Sequence, residues 1–160
     1  MLNINIICVG KIKEDYLKAA ISEYSKRLSK YCTLKIIEIQ DEKLPNKLYE
    51  STINKIKEKE CKKIIENLKK DSYIIALDLK GKQYTSTEFA DKISQIETNF
   101  NSNITFIIGG TLGLTQEILE ISNQKISFSE MTFPHRLIRV FLLEQLFRAF
   151  KILNNETYHW

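Results

Sequence analysis

Glycine and proline are scarce in this chain, five and two among 160 residues. Their scarcity excludes collagenous, low-complexity and linker-rich organisation. No apolar run approaches the roughly 20 residues that a helix needs to cross a bilayer. The N-terminal MLNINIICVGK has no basic region ahead of its apolar residues and no small-residue cleavage site behind them, so no secretory signal is expected. The expected location is the cytoplasm. Cysteine is also sparse: Cys8, Cys32 and Cys61 are odd in number, and their spacing suits neither a disulfide framework nor a C-x-x-C metal knuckle. Reduced structural thiols and no bound metal are expected. What the chain does have is 43% hydrophobic and 28% charged residues, enough for a genuine core, and a single domain over 1–160 is the expectation. A net charge of +4 permits a nucleic-acid ligand without requiring one.

Short apolar runs alternate with helical spacing along the chain. Asn3 to Val9 closes at Gly10, and Leu17, Ala20, Ile21, Tyr24 and Leu28 then recur as one face of a helix. The β-branched run Thr33 to Ile39 predicts a second strand, and residues 50–69 predict an amphipathic helix with a heavily charged outer face. Tyr73 to Leu79 predicts a third strand, after which Thr85 and Glu88 have the spacing of a capping box. A fourth strand at Ile104 to Ile108, a short helix from Thr115 to Ser122 and a fifth strand at Lys125 to Ser129 complete the alternation. Near-continuous apolar strands interleaved with helices predict an α/β fold, with a mostly parallel sheet and helices on both faces.

The last helix carries the strongest signal. Of the 18 residues from Arg136 to Leu153, 12 are apolar, and they surround most of the circumference. Glu144, Arg148 and Lys151 share a narrow polar stripe, whereas Leu137, Phe141, Phe147 and Phe150 belong to more than one face. One sheet cannot cover them all. Leaving about five large side chains in water would forgo roughly 1.5 to 3 kcal/mol each, which predicts a homodimer packed through this helix. The alternative is a loop or the tail folding over the helix within one subunit.

Ligands of parallel sheets gather beyond the carboxyl ends of the strands, and three segments there could carry chemistry. IIGGTLG at 107–113 brings glycine backbone close to a ligand or forms a tight turn. Its spacing is not the G-x-G-x-x-G dinucleotide fingerprint, and no G-x-x-x-x-G-K-[ST] phosphate loop occurs. FSEMTFPH at 128–135 is a polar and apolar turn in which Pro134 opens the last helix at its first position. The tail ETYHW places aromatic and imidazole groups where chain ends usually fray. Both histidines, His135 and His159, flank that helix near Glu144 and Arg148, a pattern suited to acid–base work and RNA contact. Two histidines without Asp or Cys at ligand spacing do not make a metal site. Glu144 and Arg148 taken alone are also an ordinary i,i+4 ion pair.

VGKIKE at 9–14, IIGG-x-x-GL at 107–114, FSEMTFPH at 128–135, EQLFRAFKI at 144–152 and the terminal YH at 158–159 together resemble the bacterial ribosomal RNA large-subunit pseudouridine N3-methyltransferases, small SPOUT-type enzymes. The resemblance runs in order from the first strand to the tail. It implies a dimer with a C-terminal trefoil knot that binds S-adenosylmethionine. By similarity the cofactor residues would be Leu77, Gly109, Phe128, Ser129, Glu130, Met131, Thr132 and Phe133. The implied substrate is a pseudouridine of 23S rRNA, methylated within the assembled ribosome. The methyl carbon arrives activated, so the protein must align N3 of the base and deal with its proton. His135, Glu144, Arg148, Tyr158 and His159 are the catalytic candidates. Tyr158 and His159 would shape the target pocket, Arg148 would orient RNA or the anionic base, and Glu144 would hold Arg148. His135 would either position the tail or accept the proton. The other readings are a SPOUT methyltransferase acting on another RNA nucleoside, and a non-catalytic, ribosome-associated RNA-binding protein.

Two positions depart from the family pattern. Leu112 stands where relatives often carry a polar residue, which leaves only a backbone role for hydrogen bonding there. Trp160 stands where relatives commonly carry a basic residue, which either exchanges a phosphate contact for base stacking of about 1 to 3 kcal/mol or weakens the tail. Replacing Trp160 by alanine is expected to lower methyl transfer to ribosomes and leave cofactor affinity unchanged. Equal turnover by the two proteins would rule out a stacking role.

Overall fold

A computed structural model describes residues 1–159; Trp160 and the stacking role expected of it lie outside the described residues. Five strands, β1 (Leu2–Val9), β2 (Cys32–Ile39), β3 (Tyr73–Gln83), β4 (Asn103–Ile108) and β5 (Gln124–Ser127), form one sheet in the order β2-β1-β4-β3-β5. Every pairing is parallel. The central strands β1 and β4 are buried on both faces, with Ile4, Ile6, Ile7, Ile104, Phe106 and Ile107 all at 1% exposure or less. This double burial is why they read as unbroken apolar runs.

Helices α1 (Asp15–Leu28), α3 (Ser86–Asn99) and α5 (His135–Leu153) cover one face, and α2 (Glu50–Glu66) and α4 (Gln116–Ile121) cover the other. Local chemistry sets their ends. The Thr85 hydroxyl accepts from the Glu88 N–H, and the Glu88 carboxylate accepts from the Thr85 N–H, so the expected capping box starts α3. Thr115 caps α4 in the same way through the Ile118 N–H. Pro134 lies one position earlier than expected, as the N-cap of α5. Its carbonyl accepts from Leu137 and Ile138, a task for which a missing N–H is no handicap.

Helix α5 occupies the centre of its layer, between α1 and α3. Leu142, Leu143, Leu146 and Ala149 are fully buried, and Phe147 and Phe150 are 6% exposed. Phe150 stacks on Tyr31 at 5.6 Å. Phe147 meets Tyr31 on one side and Tyr158 of the returning tail, at 4.9 Å, on another. Part of the apolar circumference is thus covered inside the subunit, by the tail. Leu137, Val140 and Phe141 stay half-exposed on the outer side. No helix among the described residues is long and apolar enough to cross a membrane.

The pairing of β3 with β5 shapes the carboxyl edge of the sheet. Leu77 and Lys82 both align with Ile126, so residues 78–81 loop out of the strand. Gly81 brings the loop back directly onto Ile126. A Cβ at Gly81 would lie 2.6 to 2.8 Å from the carbonyl carbon, nitrogen and Cα of Ile126, and backbone cannot step aside. Gly81→Ala is therefore expected to cost about 1 to 3 kcal/mol of stability. Denaturant unfolding checks this; an unchanged midpoint would show that the loop gives way freely.

Candidate active site

Three segments converge at one edge of the sheet: 77–80 at the bulge within β3, 108–114 running out of the end of β4 and 126–135 running out of the end of β5. They enclose a cleft of about 850 Å³, within the size range of small-molecule sites. Sheet order explains its place. The chain leaves β3 toward β4 on one side and later adds β5 on the other, and the loops part where the direction reverses.

The glycine turn closes on itself. Gly110 and Gly113 form an antiparallel bridge, with the Gly113 N–H donating to the Gly110 carbonyl at 3.1 Å. Gly113 has φ +80° and open space where a Cβ would project. At Gly109 a Cβ would approach Gly113 and Leu114 to 3.0 Å, so glycine permits both the turn and the close approach. Leu112 lines the cleft and supplies an apolar wall. Across from it two serines wind the loop after β5. The Ser127 hydroxyl donates to the Ser129 carbonyl at 2.9 Å, and the Ser129 hydroxyl accepts from the Met131 N–H at 3.0 Å. Phe133 meets Phe141 edge to face at 5.4 Å, joining the loop to α5.

Of the residues expected at a cofactor site, Leu77, Gly109, Phe128, Ser129, Met131, Thr132 and Phe133 line this cleft. Glu130 is exposed and does not line it. The catalytic candidates divide into two places. His135 lies on the cleft wall, whereas Glu144, Arg148, Tyr158 and His159 assemble at the other end of α5. There Arg148 donates twice to Glu144 Oε1, at 3.0 and 2.6 Å, and Tyr158 donates to the same oxygen at 3.2 Å. Arg148 Nη1 is 3.1 Å from His159 Nδ1, and its guanidinium lies 4.8 Å from the centre of the Tyr158 ring. The pair is thus more than a helix-surface contact. Hydrogen bonding to Glu144 raises the Arg148 pKa. Burial, then the Glu144 charge, raises that of Tyr158, so the phenol stays protonated as a donor. Glu144 lies nine positions beyond His135, about 13 Å along a helix.

One buried charged side chain near the cleft escaped sequence reasoning. Arg139, 2% exposed, donates to the carbonyls of Val9 at 3.1 Å and Gly10 at 2.6 Å, and to Glu38 Oε2 at 2.8 Å. The same Glu38 oxygen accepts from the Ile12 N–H at 2.9 Å. A lone cation inside LIRVFLL was the available signal, since a charge on the buried side of such a helix must find partners. It also bears on His135, one turn earlier. Gly10 has φ +96°, and a Cβ there would stand 3.5 Å from the His135 ring and 3.9 Å from both Arg139 and Asp41. Lys57, Asp78 and Lys80 also line the cleft; nothing in their sequence context singled them out.

With this geometry in place, comparison with known proteins becomes informative. A family model described as a predicted SPOUT methyltransferase matches residues 2–159. The chain belongs to the SPOUT methyltransferase family. A protein named ribosomal RNA large subunit methyltransferase H from Clostridium botulinum (strain Hall) is 59% identical over 158 residues, covering 99% of both chains. A similarly named protein from Clostridium perfringens (strain SM101) is 54% identical over the same share. Among solved structures, a probable methylase family protein from Haemophilus influenzae aligns with TM-score 0.57 and 14% identity, over 98% of this chain and 70% of that one. A putative methyltransferase from Legionella pneumophila, solved with bound SAM, aligns with TM-score 0.50 and 12% identity, over 92% and 66%. These two likenesses concern the fold.

In this SPOUT protein, burial foremost, then Arg139 and Arg136, hold the His135 pKa below its ordinary 6.5, against an opposing pull from Asp41. The unfolded chain therefore binds this proton more readily. Stability attributable to the neutral imidazole is complete above about pH 6.5 and is lost as the pH falls through the lower folded value. His135→Gln is expected to flatten the decline in denaturation midpoint between roughly pH 7.5 and pH 5. Parallel declines in the two proteins would contradict it.

Proposed function

We propose that this protein transfers the methyl group of S-adenosylmethionine to N3 of a pseudouridine in 23S rRNA within the assembled ribosome, acting as a cytoplasmic homodimer of one catalytic domain. The observation that carries the reading is the 59% identity, over 99% of both chains, to a protein named ribosomal RNA large subunit methyltransferase H. The cleft supports it chemically. Leu77, Leu112, Leu114, Phe128 and Ile138 offer apolar walls to a flat purine, and the glycine turn offers backbone rather than a phosphate-binding cation. The residues present fit an adenosyl group. Leu77, Gly109 and the 128–133 loop would hold it, with Glu130 at the exposed rim. When bound, the cofactor supplies an activated methyl group.

What the chain must add is alignment and proton handling. A neutral His135 on the cleft wall can take the N3 proton of an imide that is largely protonated at neutral pH. Arg148, kept cationic and oriented by Glu144, can stabilise charge developing on the base. Tyr158 and His159 complete a pocket for the target. The separation along α5 keeps this tail cluster away from the cleft of its own subunit. In the dimer the tail of one protomer serves the cleft of its partner, and Leu137, Val140 and Phe141 supply the apolar contact between them. The trefoil knot that the family resemblance implies would lie at the carboxyl edge of the sheet.

The test is transfer of labelled methyl to ribosomes lacking the modification, with mass spectrometry of the digested rRNA. Free 23S rRNA and isolated large subunits serve as comparison substrates. The expected result is 3-methylpseudouridine formed only on whole ribosomes. A different methylated nucleoside would reassign the substrate, and cofactor binding without transfer to any of these RNAs would remove this activity.

A further inference from the structure

A second concavity lies outside the cleft, between the end of α1 and the end of α5. It measures about 370 Å³ and is lined by Lys26, Arg27, Lys30, Tyr31, Phe147 and Lys151, with Glu23, Thr157 and Tyr158 completing its walls. Its floor is aromatic and its rim is basic. The Arg27 guanidinium lies 5.7 Å and the Lys151 ammonium 5.4 Å from the centre of the Phe147 ring, and Lys151 is 5.8 Å from that of Tyr31.

The two acids here are already engaged. Glu23 holds Arg27 at 2.9 Å, and Glu156 holds Lys151 at 2.5 Å while accepting from the Tyr31 hydroxyl. Lys26 and Lys30 are exposed, and neither pairs with a carboxylate among the described residues. Four cations against two carboxylates leave two uncompensated positive charges, half of the net +4 of the whole chain. Tyr158 forms one wall of this groove, and its hydroxyl reaches Glu144 in the tail cluster. A polyanion lying in the groove would therefore run directly into the proposed target pocket.

We infer that this groove binds the phosphate backbone of the RNA strand adjoining the target nucleoside, with Lys26 and Lys30 as its two free phosphate contacts. The inference rests on the proposed function, whose RNA-binding residues it extends. Chemistry favours RNA over an acidic protein, because closely spaced cations, two of them without a carboxylate partner, match the regularly repeated phosphates of a strand.

The experiment uses the full chain with Lys26→Gln and Lys30→Gln combined. Both side chains are exposed, so folding is not at stake. Methyl transfer to ribosomes is measured across a potassium chloride series, alongside calorimetric binding of S-adenosylmethionine. A fluorescent single-stranded RNA oligonucleotide is titrated into both proteins in parallel. The expected variant shows a KM about tenfold higher with kcat and cofactor affinity unchanged, and a salt dependence shallower by about 1.4 in log–log slope, the value for two single-strand phosphate contacts. Weaker oligonucleotide binding accompanies it. Unchanged KM and slope would overturn the inference, as would a fall in kcat alone. A raised KM with undiminished oligonucleotide affinity would overturn it in favour of a protein surface. If the wild type methylates no ribosomal substrate, the proposed function falls, and the oligonucleotide arm still decides the groove: equal affinity of the two proteins overturns it.

Discussion

The guanidinium of Arg139 is the contact on which the arrangement of this molecule turns. It closes the carboxyl end of β1 by taking the Val9 and Gly10 carbonyls, and it reaches β2 through Glu38, which in turn holds the Ile12 N–H. Carbonyls at the end of a buried strand have no ladder partner left, and losing a buried partner costs about 1 to 3 kcal/mol. Supplying the donors from a side chain of α5 ties the helix to the sheet at its first turns. The position of α5 then fixes both candidate regions, the cleft through Pro134 and His135 and the tail cluster through Glu144 and Arg148.

The two regions obey different physics. The cleft is made mostly of backbone turns and apolar side chains, with Lys57, Asp78, Lys80 and His135 among its lining, and is held by glycines that permit close approach and serines that wind a loop. It is suited to a flat, largely neutral ligand group. The tail cluster is charged and hydrogen-bonded, with Glu144 Oε1 shared by Arg148 and Tyr158. Its partial burial makes the ion pair directional, unlike a fully solvated surface pair. A helix that separates the regions within one subunit is what gives the proposed homodimer its purpose, since a partner would bring together what the helix keeps apart.

Much of this was legible in residue order. Strands such as Tyr73 to Leu77 and Ile104 to Ile108 are unbroken because both faces are covered, and that pattern survives without coordinates. The Thr85 and Glu88 cap is a spacing of three residues, so it too is local. Arg139 was not legible, because its neighbours in sequence are apolar and its partners are about 100 and 130 residues away. The apolar excess of α5 was visible, but its division was not. Phe147 and Phe150 turned inward onto Tyr31, while Leu137 and Phe141 remained outward.

Composition and periodicity alone determined an α/β chain with a parallel sheet, the kinds of residue available for chemistry and the segments beyond the strands where they would gather. Resemblance in five ordered motifs pointed to the family. Tertiary structure alone decided that Glu130 stays outside the cleft and that His135 stands apart from Glu144, Arg148, Tyr158 and His159. It also decided that the tail folds back to cover Phe147. The physical reason is range: periodicity, caps and turns arise between residues a few positions apart, whereas the meeting of loops at a strand edge depends on sheet order, which long-range packing selects.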